Sequence, residues 1–266
     1  MNLQRTFSTL GCPDLTLEQA FELAAKHGLA GIELRALGGT LELPGYFAQT
    51  YGRPPALAAK LRGQPVRIVA LDTSLKLIGG TAADREKFLA FVPWAEALGV
   101  PRLRVFDGGA KLDAAELARA ADTMSWWREL RRKNGWRADL MVETHDSLFT
   151  AAAIERFGAV APDVRILWDT HHTWKQGGED PVATWRKIKA RVVHVHVKDS
   201  VSQPGARHSQ TYVLPGNGEF PMAPLLGALR ADGYTGPLSL EWEKLWHPGL
   251  PSLDDALRAA AERDWW

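Results

Sequence analysis

The chain carries a single cysteine, Cys12, in 266 residues, so no disulfide can form within it and a reducing compartment is expected. Charge excess is almost absent: 32 lysines and arginines stand against 31 aspartates and glutamates, with neither sign concentrated in one stretch. The one basic run, Arg131-Arg132-Lys133, falls at an expected helix end, where cations complement the dipole. Charge therefore gives no reason to expect a nucleic-acid partner. No apolar run approaches the roughly 20 residues that cross a bilayer, and the opening Met-Asn-Leu-Gln-Arg-Thr-Phe-Ser-Thr-Leu lacks the apolar core of a secretory signal. A cytoplasmic location with no membrane partner follows as an expectation. Low-complexity linkers and shifts of composition are missing as well, which argues for one domain over residues 1–266.

What is present is alternation. Strand-like apolar runs near 4–10, 31–35, 65–71, 102–106, 138–143, 164–169, 191–197 and 237–241 are separated by segments of helical periodicity. Eight parallel strands close a barrel, so the expected α/β fold is a (β/α)8 TIM barrel. An open doubly wound sheet alternates in the same way, but it wants a glycine-rich phosphate turn after the first strand, and Gly11-Cys12-Pro13-Asp14 is not one. Helix boundaries are marked throughout. Thr16 opens a helix that Gly28 ends, Thr81 or Asp84 opens one that Gly99 closes, and Asp113 opens one running to Asn134-Gly135. Asp180-Pro181 puts proline at a first helical position, and Ser252 or Asp254 begins the last helix.

Polar residues recur where the apolar runs end: Glu33, Asp72 and Asp107, then Glu143, Asp169, His196 and Glu241. Active sites of such barrels lie on that face. The 26 residues from Glu143 to Asp169 and the 27 from Asp169 to His196 each match one strand-helix-strand step, while the 45 to Glu241 also need a long loop. Taken singly, such a glutamate is a salt-bridge partner and such an aspartate a helix cap. Taken together, clustered carboxylates repel one another and are costly to desolvate unless a cation neutralises them. Three carboxylates and one imidazole form a fairly hard donor set for one divalent ion, Mn²⁺ first, with Mg²⁺, Co²⁺, Fe²⁺ or Zn²⁺ tolerated. In Val192-Val193-His194-Val195-His196-Val197 both histidines share a face, and His196 is preferred because it lies nearer the strand's C-terminal end.

Other residues surround this set. His145 and His172, two and three positions beyond a proposed ligand, reach the rim as substrate-binding candidates. Lys198 and Arg207 have the charge to hold an oxyanion or phosphate. Two stretches are long enough to lie over the mouth: 36–53, aromatic and glycine-rich, which reads as a lid, and 198–220 with its turn Pro215-Gly216-Asn217-Gly218.

Thr9-Leu-Gly-Cys-Pro-Asp14, Gly31-Ile-Glu-Leu-Arg35, Val142-Glu143-Thr-His145, Leu167-Trp-Asp169-Thr-His-His172, His194-Val-His196-Val-Lys-Asp199 and Gly233-Tyr-Thr-Gly-Pro-Leu-Ser-Leu-Glu241 span nearly the whole chain. In combination they resemble the sugar phosphate isomerase/epimerase proteins of the xylose-isomerase-like barrel superfamily. The resemblance implies a metal held by Glu143, Asp169, His196 and Glu241, with a ketose or inositol-like polyol in front of it. It also implies that Glu143 and Glu241 move protons as catalytic residues and that His172 binds substrate. Two departures stand out. Endonuclease IV, a nuclease of the same superfamily, uses further histidines where this chain has Asp72 and Asp107, which argues against a nuclease. Ketose epimerases place a second glutamate six residues after the first ligand, where this chain has Phe149. Trp246, in the extension after the eighth run, could pack over a larger, ring-closed substrate.

The reading is thus a metal-dependent isomerase or epimerase of a small carbohydrate or polyol derivative, acting by proton abstraction beside a carbonyl. The alternative is a dehydratase or lyase that expels a β-leaving group from an inosose, dehydroshikimate or keto-glycoside. A non-catalytic sugar-binding barrel is a third reading, and glutamates at both 143 and 241 argue against it. Trp265-Trp266 at the terminus suggest apolar surface covered by a partner subunit or in a homo-oligomer.

Overall fold

Parallel strands covered on both faces read as continuous apolar runs rather than as alternating ones. The computed structural model, which describes residues 3–205 and 209–266, turns all eight runs into strands. In chain order these are β1 (Gln4–Ser8), β2 (Gly31–Leu34), β3 (Arg67–Lys76), β4 (Arg102–Phe106), β5 (Asp139–Glu143), β6 (Ile166–Asp169) and β7 (Val192–Val197). A short antiparallel hairpin of β8 (Ser200–Val201) and β9 (Thr211–Tyr212) then precedes β10 (Pro237–Leu240). The order β1-β10-β7-β6-β5-β4-β3-β2 closes on itself with every neighbour parallel. The chain is a (β/α)8 TIM barrel.

Register sets the height of the mouth residues. Asp169 pairs with His196, Ser239 pairs with His196 from the other side, and Glu143 pairs with Leu167. Because alternate residues share a face, Glu143, Asp169, His196 and Glu241 come out on the inner side at neighbouring levels. Below them, Ala70, Met141 and Leu167 fill the barrel interior, while the larger core lies between strands and helices.

The helix signals act as expected, with two differences. Thr16 and Gln19 form a capping box on Leu17–Lys26, Asp113 caps Ala114–Asn134 and Gly135 ends it at φ +65°. The stretch from Thr81 to Gly99 is two helices, Ala82–Leu89 and Val92–Leu98, rather than one. Pro93 is the cause: it has no N–H to continue the ladder and suits only a first turn. The segment 36–53 is not a lid. It contains the helix Leu43–Tyr51, whose Leu43 and Phe47 are buried, with the Phe47 ring 5.2 Å from that of Trp94 on the outer wall. Its glycines and Pro44 mark a turn and a helix start instead of a flap.

Trp265 and Trp266 correct a second expectation. Both are buried, and Trp265 packs 6.4 Å from Phe220, so the terminal pair completes the chain's own core and presents no apolar patch. Arg207 lies outside the described residues. No helix among the described residues is long and apolar enough to cross a membrane.

Candidate metal centre at the barrel mouth

Glu143 ends β5, Asp169 ends β6, His196 lies in β7 and Glu241 directly follows β10. One donor atom from each lies within 4.8 Å of the others, and all four residues are buried. His196 Nδ1 is 3.4 Å from Glu241 Oε2 and 3.8 Å from Glu143 Oε1. Three of the inward atoms, Glu143 Oε2, Asp169 Oδ2 and His196 Nδ1, make no hydrogen bond, the two carboxylate oxygens having only ion-pair contacts, to Arg104 at 3.3 Å and Lys198 at 2.9 Å. Buried polar atoms are rarely left so, and three converging on one point fit a cation that would satisfy them together. The donor set, three carboxylates and one imidazole, suits a divalent ion.

Each donor is held from behind. His196 Nε2 faces both oxygens of Glu33, at 2.9 and 3.0 Å, which places a proton on Nε2 and turns Nδ1 toward the carboxylates. Asp169 divides its oxygens: Oδ1 accepts from the backbone N–H of His171 at 2.9 Å and His172 at 3.0 Å, capping the helix Thr170–Lys175, and Oδ2 faces the centre beside the Lys198 ammonium. The cap and the candidate ligand are one residue. Arg104, on β4, brings Nε to 3.3 Å from Glu143 Oε2 and Nη2 to 3.7 Å from Asp72 Oδ2, while its guanidinium lies 4.1 Å above the Phe106 ring.

Lys198 occupies the opposite wall. Its ammonium is 2.5 Å from Glu241 Oε2, 2.6 Å from Glu243 Oε1 and 2.9 Å from Asp169 Oδ2. Burial alone would drive Lys198 to lose its proton, but Asp169 and Glu241 hold its pKa well above the usual lysine value. Burial would likewise raise Glu241, and Lys198 with His196 instead keeps it well below the usual carboxylate range. Burial disfavours the charged form of His196 too, yet Glu33 and then Glu241 carry its pKa well above normal. Asp72 behaves oppositely, because burial and the neighbouring Glu33 charge push its pKa up.

These groups floor a cavity of about 770 Å³ into which Glu143, Glu241, His145, His172 and Trp246 all open. His145, His172 and Trp246 thus line the same cavity as Glu143 and Glu241. Lys198 instead lies behind the glutamates, engaged by three carboxylates. Asp107 braces the loop that carries His145: its carboxylate accepts from the backbone N–H of Asp146 and Ser147, both at 2.8 Å. Burial lowers the pKa of His145, but Asp146, 3.3 Å away, and Glu143 bring it above its ordinary value. His194 sits one layer deeper, its Nε2 2.5 Å from Glu33 Oε2. The supporting roles of Glu33, Arg104 and Glu243 were not read from the sequence. Only the position of Glu33 at a strand end hinted at one.

Residues 21–266 match the family model for the xylose isomerase-like TIM barrel, and the chain belongs to that family. Within it, the chain is similar to the inosose dehydratase of Klebsiella pneumoniae, with 28% identity over 144 residues that cover 48% of each protein. The match thus spans about half the length of this curated relative. Among solved structures, the probable 3-DHS dehydratase AsbF of Bacillus anthracis superposes with a TM-score of 0.79 at 18% identity, covering 98% of each chain. The IOLI protein, solved with a bound zinc atom, superposes with a TM-score of 0.77 at 18% identity, over 98% of this chain and 96% of that one. At such identities the structural likeness speaks for the fold.

Proposed function

We propose that the protein is a divalent-metal-dependent lyase that takes a proton from the carbon beside a carbonyl of a sugar-derived or polyol ketone and expels the hydroxyl one carbon further on. The observation that carries this reading is the inequality of the two glutamates. Glu241 Oε2 is hydrogen-bonded to the buried Lys198 ammonium at 2.5 Å, whereas Glu143 Oε2 makes no hydrogen bond and meets only the Arg104 Nε, in a looser ion pair at 3.3 Å. Elimination needs one base and one acid, while exchange between two faces wants two comparable bases. The similarity to an inosose dehydratase over half its length supports the same choice.

Glu143, Asp169, His196 and Glu241 would hold the ion, with Mn²⁺ the first expectation. Bound there, it would polarise a carbonyl oxygen and acidify the adjacent C–H. Glu143 removes that proton, and the electron pair left on carbon becomes a C=C bond as the neighbouring C–O bond breaks. His145, whose pKa Asp146 and Glu143 raise against the effect of burial, gives a proton to the departing hydroxyl, so that water leaves. His172 is oriented by the Thr144 carbonyl, 2.9 Å from its Nδ1, which leaves Nε2 for a substrate hydroxyl. Trp246 covers the ring from outside.

A second reading, isomerase or epimerase, is favoured by the placement of Glu143 and Glu241 at 3.8 and 3.4 Å from the same His196 nitrogen, both within reach of one carbon. Incubation with candidate ketoses and inososes in D₂O separates the two. An unsaturated ketone supports the lyase, and solvent deuterium retained in an isomer supports the second reading. If protein loaded with each ion in turn gives neither product, both are wrong. Glu143→Gln is expected to cut turnover by roughly 10²–10⁴-fold while metal still binds, as measured by steady-state rates alongside elemental analysis.

A further inference from the structure

We infer that the cavity at the opposite end of the barrel is a binding site for a small organic anion, a carboxylate or phosphate with an apolar body. This cavity, about 710 Å³, opens where the strands begin and is lined by Arg62, Arg67 and Arg102, by Gln4 and Gln64, and by apolar surface that includes Val69 and Val193. No aspartate or glutamate lines it. In a chain of net charge +1, that is a concentration of positive charge in one concave place.

The neighbouring arginines at this end have partners. Arg131 donates to the Ala138 carbonyl, Arg165 to that of Ala190 and Arg191 to that of Pro162. Among the described residues, the side chains of Arg62, Arg67 and Arg102 make no hydrogen bond or ion pair. Arg62 and Arg67 are exposed at the cavity mouth, whereas Arg102 is half-buried, and burial lowers its pKa with Asp139 only partly offsetting this. A guanidinium that has lost water without gaining a partner is destabilised, and an anion relieves it through charge-assisted hydrogen bonds strengthened by low-dielectric walls. The apolar lining selects an anion with a hydrocarbon body over a bare one.

No carboxylate lines this cavity to move a proton, so it is read as a binding site and not as a second centre of proton transfer. The lining also includes His194, which meets Glu33, and Glu33 in turn meets His196. The occupant would thus touch the far end of a line of side chains leading to the candidate metal centre.

Isothermal titration of the metal-loaded full chain with phenyl phosphate and with benzoate, using benzyl alcohol as the neutral control, tests the site and distinguishes the two anions. Saturable binding at about 1 mM or tighter is expected for at least one anion, with none for the alcohol. Arg67→Ala combined with Arg102→Ala should weaken it at least about tenfold and leave turnover intact. Should that double variant fail to fold, Arg67→Gln carries the comparison, with a smaller loss in the same direction. Absence of saturable binding, equal binding of the alcohol, or affinity unchanged in the arginine variants overturns the proposal.

Discussion

His196 assigns its two ring nitrogens to different neighbours, and this division decides what the centre can hold. Nε2 is fixed between the oxygens of Glu33, so Nδ1 alone faces Glu143 and Glu241. Glu33→Gln keeps the side chain's size but removes the charge that orients the ring, and it is expected to weaken metal binding by about 10–100-fold. Competition with a coloured chelator measures this, and an unchanged affinity would show that Glu33 does not position His196. The same pairing fixes the pH response. Without metal, Glu33 and Glu241 hold the His196 pKa well above normal, so at neutral pH the ring carries a proton that a cation must displace. Affinity should therefore rise with pH, by roughly tenfold per unit, until the raised pKa is passed, and then level off. Titrations in two buffers of different ionisation enthalpy should report about one proton released per ion from this ring. Zero release near pH 7 would contradict the assignment.

Strands and helices carry these residues, and the long elements were legible because several signals agree in each. Seven barrel strands lie within two residues of their expected bounds and β3 runs five residues past its expected end, since apolar runs flanked by polar turns have few other solutions inside a two-sided sheet. Four of the mouth donors were legible for the same reason: a strand's last inward position is fixed by its register. The support for those donors was not legible, because Glu33 meets His196 across 163 positions of sequence, and Arg104 meets Glu143 from a different strand. The hairpin of β8 and β9 was missed because two residues per strand leave no periodicity to detect. What holds that region is Asp199, whose carboxylate accepts from the backbone N–H of Ser200 at 3.0 Å, Gly216 and Gly218 at 2.9 Å each, and Phe220 at 3.1 Å. The motif Pro215-Gly216-Asn217-Gly218 is the wrapping of a buried carboxylate. A Cβ on Gly218 would lie 2.0 Å from Asp199 Oδ1, so Gly218→Ala must push the carboxylate out of its cradle. The expected cost is about 1–3 kcal/mol, read as a lower denaturation midpoint by circular dichroism. A midpoint equal to that of the unmodified protein would mean the cradle is dispensable.

Across the whole molecule, charge is sorted by end. Helices run back against the strands, so their negative C-terminal dipole ends meet the strand starts, where Arg131, Arg165 and Arg191 donate to main-chain carbonyls. The strand ends carry the carboxylates Glu33, Glu143 and Asp169, with Asp72 within the longer β3 and Glu241 just beyond β10. Gathering acids at one mouth opposes folding, and the buried cations Arg104 and Lys198 offset part of that cost. A bound ion adds to this because its four donors, spread from residue 143 to residue 241, come together only in the folded chain. Binding to the folded state alone stabilises by about 2.7 kcal/mol when the free ion is at 100 times its Kd. For a chain of this size, that corresponds to a rise of about 5–10 °C in Tm. Chelated protein should keep its far-ultraviolet circular dichroism, melt that much lower and recover on return of the ion, with the recovery lost in Asp169→Asn combined with His196→Ala. A Tm indifferent to every divalent ion would mean that the mouth's carboxylates are balanced by Lys198 and Arg104 alone and that no cation belongs among them.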